Sequence, residues 1–175
     1  GVDPDQRDGT DTRTPLMYAV QASTETTIID MLIEAGADVE ATDEDGWTPL
    51  IFAARANPSP TVIRTLIDAG ADPNARGSMA GSSALSMAAG YTDNYAVVEE
   101  LLSAGADPDA QSNAGWSTLM LLARSPDSGR MIRILLDAGA DPNLKTNDGS
   151  TALTIARESG HFEIAEILRS AGARE

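Results

Sequence analysis

The tripeptide Gly-Ala-Asp recurs at Gly36-Ala37-Asp38, Gly70-Ala71-Asp72, Gly105-Ala106-Asp107 and Gly139-Ala140-Asp141. A degenerate copy follows at Gly172-Ala173-Arg174, so the steps are 34, 35, 34 and 33 residues. A fixed period of this length means stacked supersecondary units rather than one closed core. A second landmark keeps phase with it: Leu16, Leu50, Leu85, Leu119 and Leu153 each open an apolar stretch. Arrays of this kind are general binding scaffolds, so the period constrains architecture more tightly than it constrains the partner.

Within each unit the local signals spell turn, helix, loop, helix. Asp45-Gly46 and Asp148-Gly149 are turn dipeptides, with Gly81 and Gly115 at the same place relative to the marker leucine. A hydroxyl and a helix start follow at Thr14-Pro15, Thr48-Pro49, Ser83-Ala84, Ser117-Thr118 and Thr151-Ala152. Such a hydroxyl accepts from an orphan amide of the first turn, and proline suits the first helical position. The second helix carries apolar residues at i, i+1, i+4 and i+5, as in Ile28, Ile29, Leu32 and Ile33 or Met131, Ile132, Leu135 and Leu136, one broad helical stripe. Ser59-Pro60 and Ser125-Pro126 are expected to start this helix, and the glycine of each Gly-Ala-Asp to end it. Hydrophobic residues make up 42% of the chain but aromatics only 4%, so the core must be aliphatic; Tyr18 and Phe52, inside the apolar register, are expected there.

These residues closely resemble ankyrin repeats, whose unit of about 33 residues has a β-turn, two helices and a T-P-L-H-x-A signature. Thr48-Pro49-Leu50-Ile51-Phe52-Ala53-Ala54 followed by Leu66 to Asp72 is a specific match, and the likeness covers the whole chain. The resemblance implies an all-α ankyrin-repeat solenoid with β-turn fingers, in units of approximately 9–41, 42–75, 76–110, 111–144 and 145–175. The signature histidine is replaced by Met17, Ile51, Ser86, Met120 and Thr154, which removes the group that usually makes inter-repeat hydrogen bonds. The finger between Pro73 and Ser82 carries one further residue. In the last unit Arg157, Ala165 and Arg169 replace larger or apolar residues, as a polar terminal face requires. Gly1-Val2-Asp3-Pro4-Asp5 repeats the pattern of Gly105 to Asp109, so residues 1–8 are expected to be the tail of a preceding repeat.

Catalytic chemistry finds little support. The only histidine, His161, sits in Ser159-Gly160-His161 at the junction of two helices, and no cysteine is present. One histidine leaves few ways to build a zinc site, and thiol chemistry is excluded. Aligning Gly46 with the glycine of a calcium loop puts Ala41 and Phe52 where carboxylates are needed. Gly77 to Gly81 lacks the Gly-Lys-Ser/Thr of a P-loop. No catalytic, cofactor or metal residues are therefore assigned, and the chain is expected not to be an enzyme. No apolar run approaches a membrane span and no charged-then-apolar leader opens the chain, while the lack of cysteine leaves the compartment open.

The formal charge is −15, from 27 acidic and 12 basic residues. Nucleic acid and anionic lipid are poor partners for such a chain, because phosphate binding needs clustered Lys and Arg. One sign of charge keeps the protein soluble, and it also accelerates encounter with a basic protein or peptide. The family resemblance implies a concave recognition face that combines finger tips with the exposed ends of first helices. The candidates on it are Arg13, Trp47 and Trp116 at fingers, Arg55, Tyr91 and Arg124 at helix ends, and the acidic finger Asp43, Glu44 and Asp45. Trp, Tyr and Arg are the types enriched at binding hot spots; the alternative for each tryptophan is a ring lying flat on the neighbouring finger. The expected function is a monomeric, non-enzymatic protein- or peptide-binding module. Two other readings stand beside it: an inhibitor or immunity-type protein that blocks a basic partner, and a structural spacer in a larger chain.

Overall fold

A computed structural model describes residues 3–7, 9, 12–78, 80–91 and 94–174. Gly1, Val2 and Asp8 of the expected leading tail, Thr10 and Asp11 of the first unit, and Met79 of the enlarged finger lie outside them. The described residues form ten helices in two compact bodies, 1–106 and 107–175. In the first, α1 (Pro15–Ala22), α3 (Pro49–Ala56) and α5 (Ala84–Tyr91) alternate with α2 (Thr27–Glu34), α4 (Pro60–Asp68) and α6 (Tyr95–Ser103). There α3 packs against α1, α4 and α5, while α6 packs against α4 and α5. In the second, α7 (Thr118–Leu122) and α9 (Ala152–Glu158) alternate with α8 (Gly129–Asp137) and α10 (Phe162–Ser170), and α10 packs on both α8 and α9. An isolated antiparallel bridge from Arg76 to Ser83, in the enlarged finger, is the sole β pairing among the described residues.

The first helix of each pair begins at its Ser or Thr. Thr14, Thr48, Ser117 and Thr151 accept from the backbone N–H three residues on, and Ser83 does so from Ser86 at 3.2 Å. The residues replacing the expected histidine complete four of these caps. The sulfurs of Met17 and Met120 accept from the cap N–H at 3.4 Å, the hydroxyl of Ser86 at 3.0 Å and that of Thr154 at 2.8 Å.

The second helices depart from expectation. Ser59 precedes α4 but makes no side-chain cap bond. Helix α8 starts at Gly129, not Pro126, because the buried Ser128 hydroxyl latches onto the carbonyls of Leu122 at 2.7 Å and Ser125 at 2.8 Å, which holds the preceding residues in a turn. His161 joins α9 to α10: its backbone N–H donates to Ala156, and its Nδ1 lies 3.1 Å from the Ala123 carbonyl, a bond that places the proton on Nδ1.

The marker leucines are all buried, as are Ile29, Ile63, Val98 and Ile132. Two core expectations fail. Tyr18 is 41% exposed although its counterpart Phe52 is buried, and Ile28 is 57% exposed although Val62 and Val97 are fully buried. Both lie in the first helix pair, Tyr18 on α1 and Ile28 on α2. Arg157 and Arg169 are exposed, as expected of a polar face, and Arg169 pairs with Glu166.

A ladder of side chains joins successive Gly-Ala-Asp segments. Asp3, Asp38, Asp72, Asp107 and Asp141 each accept from the N–H two residues on, at 2.8–3.0 Å. The residue at that second place reaches the next repeat. Carboxylates of Asp5, Glu40 and Asp109 accept from the N–H of Asp38, Asp72 and Asp141 at 3.0, 2.9 and 2.7 Å. Amides of Asn74 and Asn143 instead donate to the carbonyls of Gly105 and Gly172, at 3.0 and 3.3 Å.

Fingers are joined by backbone. Ser78 N–H donates to the Asp45 carbonyl at 2.8 Å, and Asn147 N–H to that of Ala114 at 3.1 Å. The glycine after each acceptor is required twice over. Gly46 and Gly115 take φ of +74° and +79°, and a Cβ there would come within 2.7 Å of Ser78 N or 2.8 Å of Asn147 N.

Candidate functional site

In the body formed by residues 1–106, the turn Asp43–Gly46 sets the direction of Trp47. Asp43 Oδ1 accepts from the N–H of Asp45 at 3.0 Å and from that of Trp47 at 2.8 Å, while Asp43 N–H donates to the Trp47 carbonyl. The indole so directed turns back onto α3. Its centroid lies 5.3 Å from the ring of buried Phe52, the planes tilted by 55°, and the next finger's Gly77 lies against its edge, where a Cβ would sit 2.9 Å from Cδ1.

Arg55, in the last turn of α3 where a cation suits the helix dipole, brings its guanidinium 5.3 Å from the Trp47 ring. The same guanidinium lies 5.3 Å from the ring of Tyr91, the last residue of α5. At the other end Arg13 lies 4.7 Å over Phe52, with its Nε 4.0 Å from Asp43. Two cations and three rings thus form one row, Arg13, Phe52, Trp47, Arg55 and Tyr91, with contacts each worth about 0.5–2 kcal/mol depending on desolvation. The row emerges from the core as it runs: Phe52 is buried, Trp47 half-buried and Tyr91 65% exposed.

Three of the candidate residues, Trp47, Arg55 and Tyr91, are brought together. Arg13 and Asp43 are drawn inward; the Asp43 side chain keeps only 6% exposure and its carboxylate closes the turn. Glu44 and Asp45 stand exposed at the finger tip. Phe52, expected only as core, also links the Arg13 end of the row to Trp47, and Gly77, part of the segment that fails as a P-loop, leaves room for the indole edge. A signal for the pairing was present in the spacing: Trp47 precedes Arg55 by eight residues, as Trp116 precedes Arg124. In the body formed by 107–175, the Arg124 guanidinium lies 5.8 Å over the half-buried Trp116 ring.

The charge of residues 1–106 is not balanced locally. They hold 17 acidic residues and five basic ones, and all five basic groups have intramolecular contacts. Arg7 donates to the carbonyls of Thr12 and Thr42, Arg76 to that of Gly81, and Arg64 pairs with Glu100 through bonds of 2.9 and 2.5 Å. The Arg64 guanidinium holds the Glu100 carboxyl below its usual range. Arg13 and Arg55 belong to the ring stack. Among the described residues no group of three or more His, Asp or Glu is placed to hold a metal ion, and no helix is long and apolar enough to cross a membrane.

A family model described as ankyrin repeats, in three copies, matches residues 1–77 and 85–174. No curated protein matches the chain.

Proposed function

Because this chain belongs to the ankyrin-repeat family, whose repeats are in general protein–protein interaction modules and typically not enzymes, we propose that it binds a protein partner through the surface carrying Trp47, Arg55 and Tyr91. The exposure of Tyr91 at the end of an otherwise anchored stack carries this reading. An aromatic ring already held on one side by a guanidinium offers a large rigid contact at small entropic cost, the property of a hot-spot residue. Trp116 and Arg124 form a second such point in residues 107–175. Glu44 and Asp45 at the finger tip act on the approach of a partner rather than on its final fit.

A second reading is favoured by the engaged arginines of residues 1–106. With its basic groups held in internal contacts, that body presents a predominantly negative field and suits an inhibitor or immunity-type role against a basic protein. Affinity capture on the immobilised chain, read by mass spectrometry, tests both. One stoichiometric basic protein supports the inhibitor and several proteins a scaffold; no retained protein removes both and leaves the spacer. Tyr91→Ala should abolish capture while leaving the helical circular dichroism unchanged and costing no more than about 1 kcal/mol of stability, the worth of one exposed cation–ring contact. Undiminished capture by that variant would put the binding surface elsewhere.

A further inference from the structure

We propose that Arg55 is a preorganised receptor for a carboxylate of the partner. The inference rests on the protein-binding reading and adds the chemistry of the group received. In a chain with 27 carboxylates, Arg64 and Arg169 each find one, in Glu100 and Glu166. Arg55 makes neither a hydrogen bond nor an ion pair to any described residue, and its contacts are the two rings at 5.3 Å. Arg124 likewise has its ring contact with Trp116 and no side-chain bond among the described residues.

Stacking and carboxylate binding use different parts of a guanidinium. Rings contact its faces, while its five N–H donors lie in its plane and point outward from the edge. Trp47 and Tyr91 lie beside the group while none of its donors is spent on a hydrogen bond to a described residue, and the two rings reduce the rotamer entropy lost when a ligand arrives. The edge of a guanidinium matches a carboxylate fork to fork, with two parallel charge-assisted bonds. Phosphate offers the same oxygen spacing but carries about −1.5 to −2 at neutral pH. The acidic excess of residues 1–106 penalises that second charge more than it does a monoanion. The structure therefore assigns a carboxylate, from an Asp or Glu side chain or a chain terminus. Arg124, with one ring instead of two, is the weaker site of the same kind.

The test follows the arginine Nε–Hε resonances of the full chain by NMR at low salt. Four peptides are titrated: an amidated Gly-Glu-Gly-Glu-Gly, its Gln counterpart, the Gln peptide with a free C-terminus, and a phosphoserine peptide. The Arg55 resonance should move downfield and saturate with the Glu peptide and stay in place with the amidated Gln peptide; the free-terminus arm shows whether a terminal carboxylate is also received. Arg64, already paired, should not respond. Tyr91→Ala should weaken the Arg55 response about tenfold, the loss of one stacking contact, and leave that of Arg124 unchanged. Arg55→Lys should eliminate the peptide-induced change in Trp47 fluorescence in a Trp116→Phe background, since an ammonium does not reproduce the fork.

The carboxylate assignment is overturned if Arg55 does not respond, if it responds only to the phosphopeptide, or if Arg133 and Arg174 shift in parallel with it. Should Arg55 fail to respond while Tyr91→Ala still abolishes protein capture, the protein-binding reading stands and the carboxylate inference alone falls.

Discussion

Residues 1–106 and 107–175 share one repeat pattern but differ in charge and in the use made of it. The first body holds 17 acidic and five basic residues, a net −12; the second holds ten and seven, a net −3. Both place an arginine eight residues after a tryptophan and stack the two. In the first a tyrosine from the next helix pair adds a second ring, and in the second the guanidinium has one ring contact. The repeat thus supplies positions, while particular side chains decide how firmly a position is held and in what field. Long-range attraction and local anchoring need not coincide in sign: the body with the stronger negative field also has the more fully stacked arginine.

The equivalence of the two bodies can be broken at several levels. The largest effect is expected in the core, where Leu66 and Leu135 occupy corresponding, fully buried positions. Leu66→Ala and Leu135→Ala should each cost about 2–5 kcal/mol, by urea unfolding followed at Trp47 in a Trp116→Phe background and at Trp116 in a Trp47→Phe background. A loss below about 1 kcal/mol at one position would show that this body is not packed like the other.

Next are the finger glycines. Gly46→Ala and Gly115→Ala combine positive φ with a Cβ pressed on the next finger's backbone, and each should cost at least about 2 kcal/mol. Gly149→Ala, also at positive φ but with open space, should cost about 1 kcal/mol. Equal losses at all three would remove the close approach from the explanation.

Capping should produce a smaller contrast. Ser117→Ala removes an observed cap and should lower stability by about 1 kcal/mol, whereas Ser59→Ala, with no cap bond to lose, should leave the melting curve nearly unchanged.

The smallest effect is the exposed ion pair of residues 1–106. Glu100 has its pKa depressed in the folded protein, chiefly by the hydrogen bond from Arg64. Its contribution is therefore present above the unfolded carboxylate range and lost as pH falls through the folded one. Glu100→Gln should lower the melting temperature by about 1–2 °C at pH 7, and the difference from the parent should vanish in acid. A gap that widened as pH fell would reverse the assigned sign.

Legibility in the sequence followed the range of the interactions. Starts of first helices could be read because a Ser or Thr, with or without proline, acts within its own turn. The start of α8 could not, since Ser128 is fixed by the Leu122 carbonyl at the end of α7 together with that of Ser125 in the connecting turn. Periodicity marked the apolar side of α2 but not whether another helix covers it, so Ile28 was expected to be buried. At the candidate site, counting from the repeat landmarks selected Trp47, Arg55 and Tyr91 individually. Their stacking was not legible, because it depends on the direction the Asp43 turn gives the indole and on a ring from the next helix pair. Asp43 was read as part of a charged tip for a related reason: composition registers a carboxylate without saying that two backbone amides hold it.

The Asp–x–Asp, Asp–x–Glu and Asp–x–Asn links between successive repeats have an evolutionary consequence. Each joint connects a side chain to a backbone N–H or carbonyl that the neighbour presents whatever its own side chains are. A joint of this kind has no lock-and-key identity, so at this ladder a repeat can be duplicated or deleted without a compensating change in its neighbour's side chains. Recombination between copies can therefore carry surface positions such as Trp47 and Arg55 past this seam, leaving the finger contact at Gly77 and the ring of Tyr91 to decide which neighbours suit them.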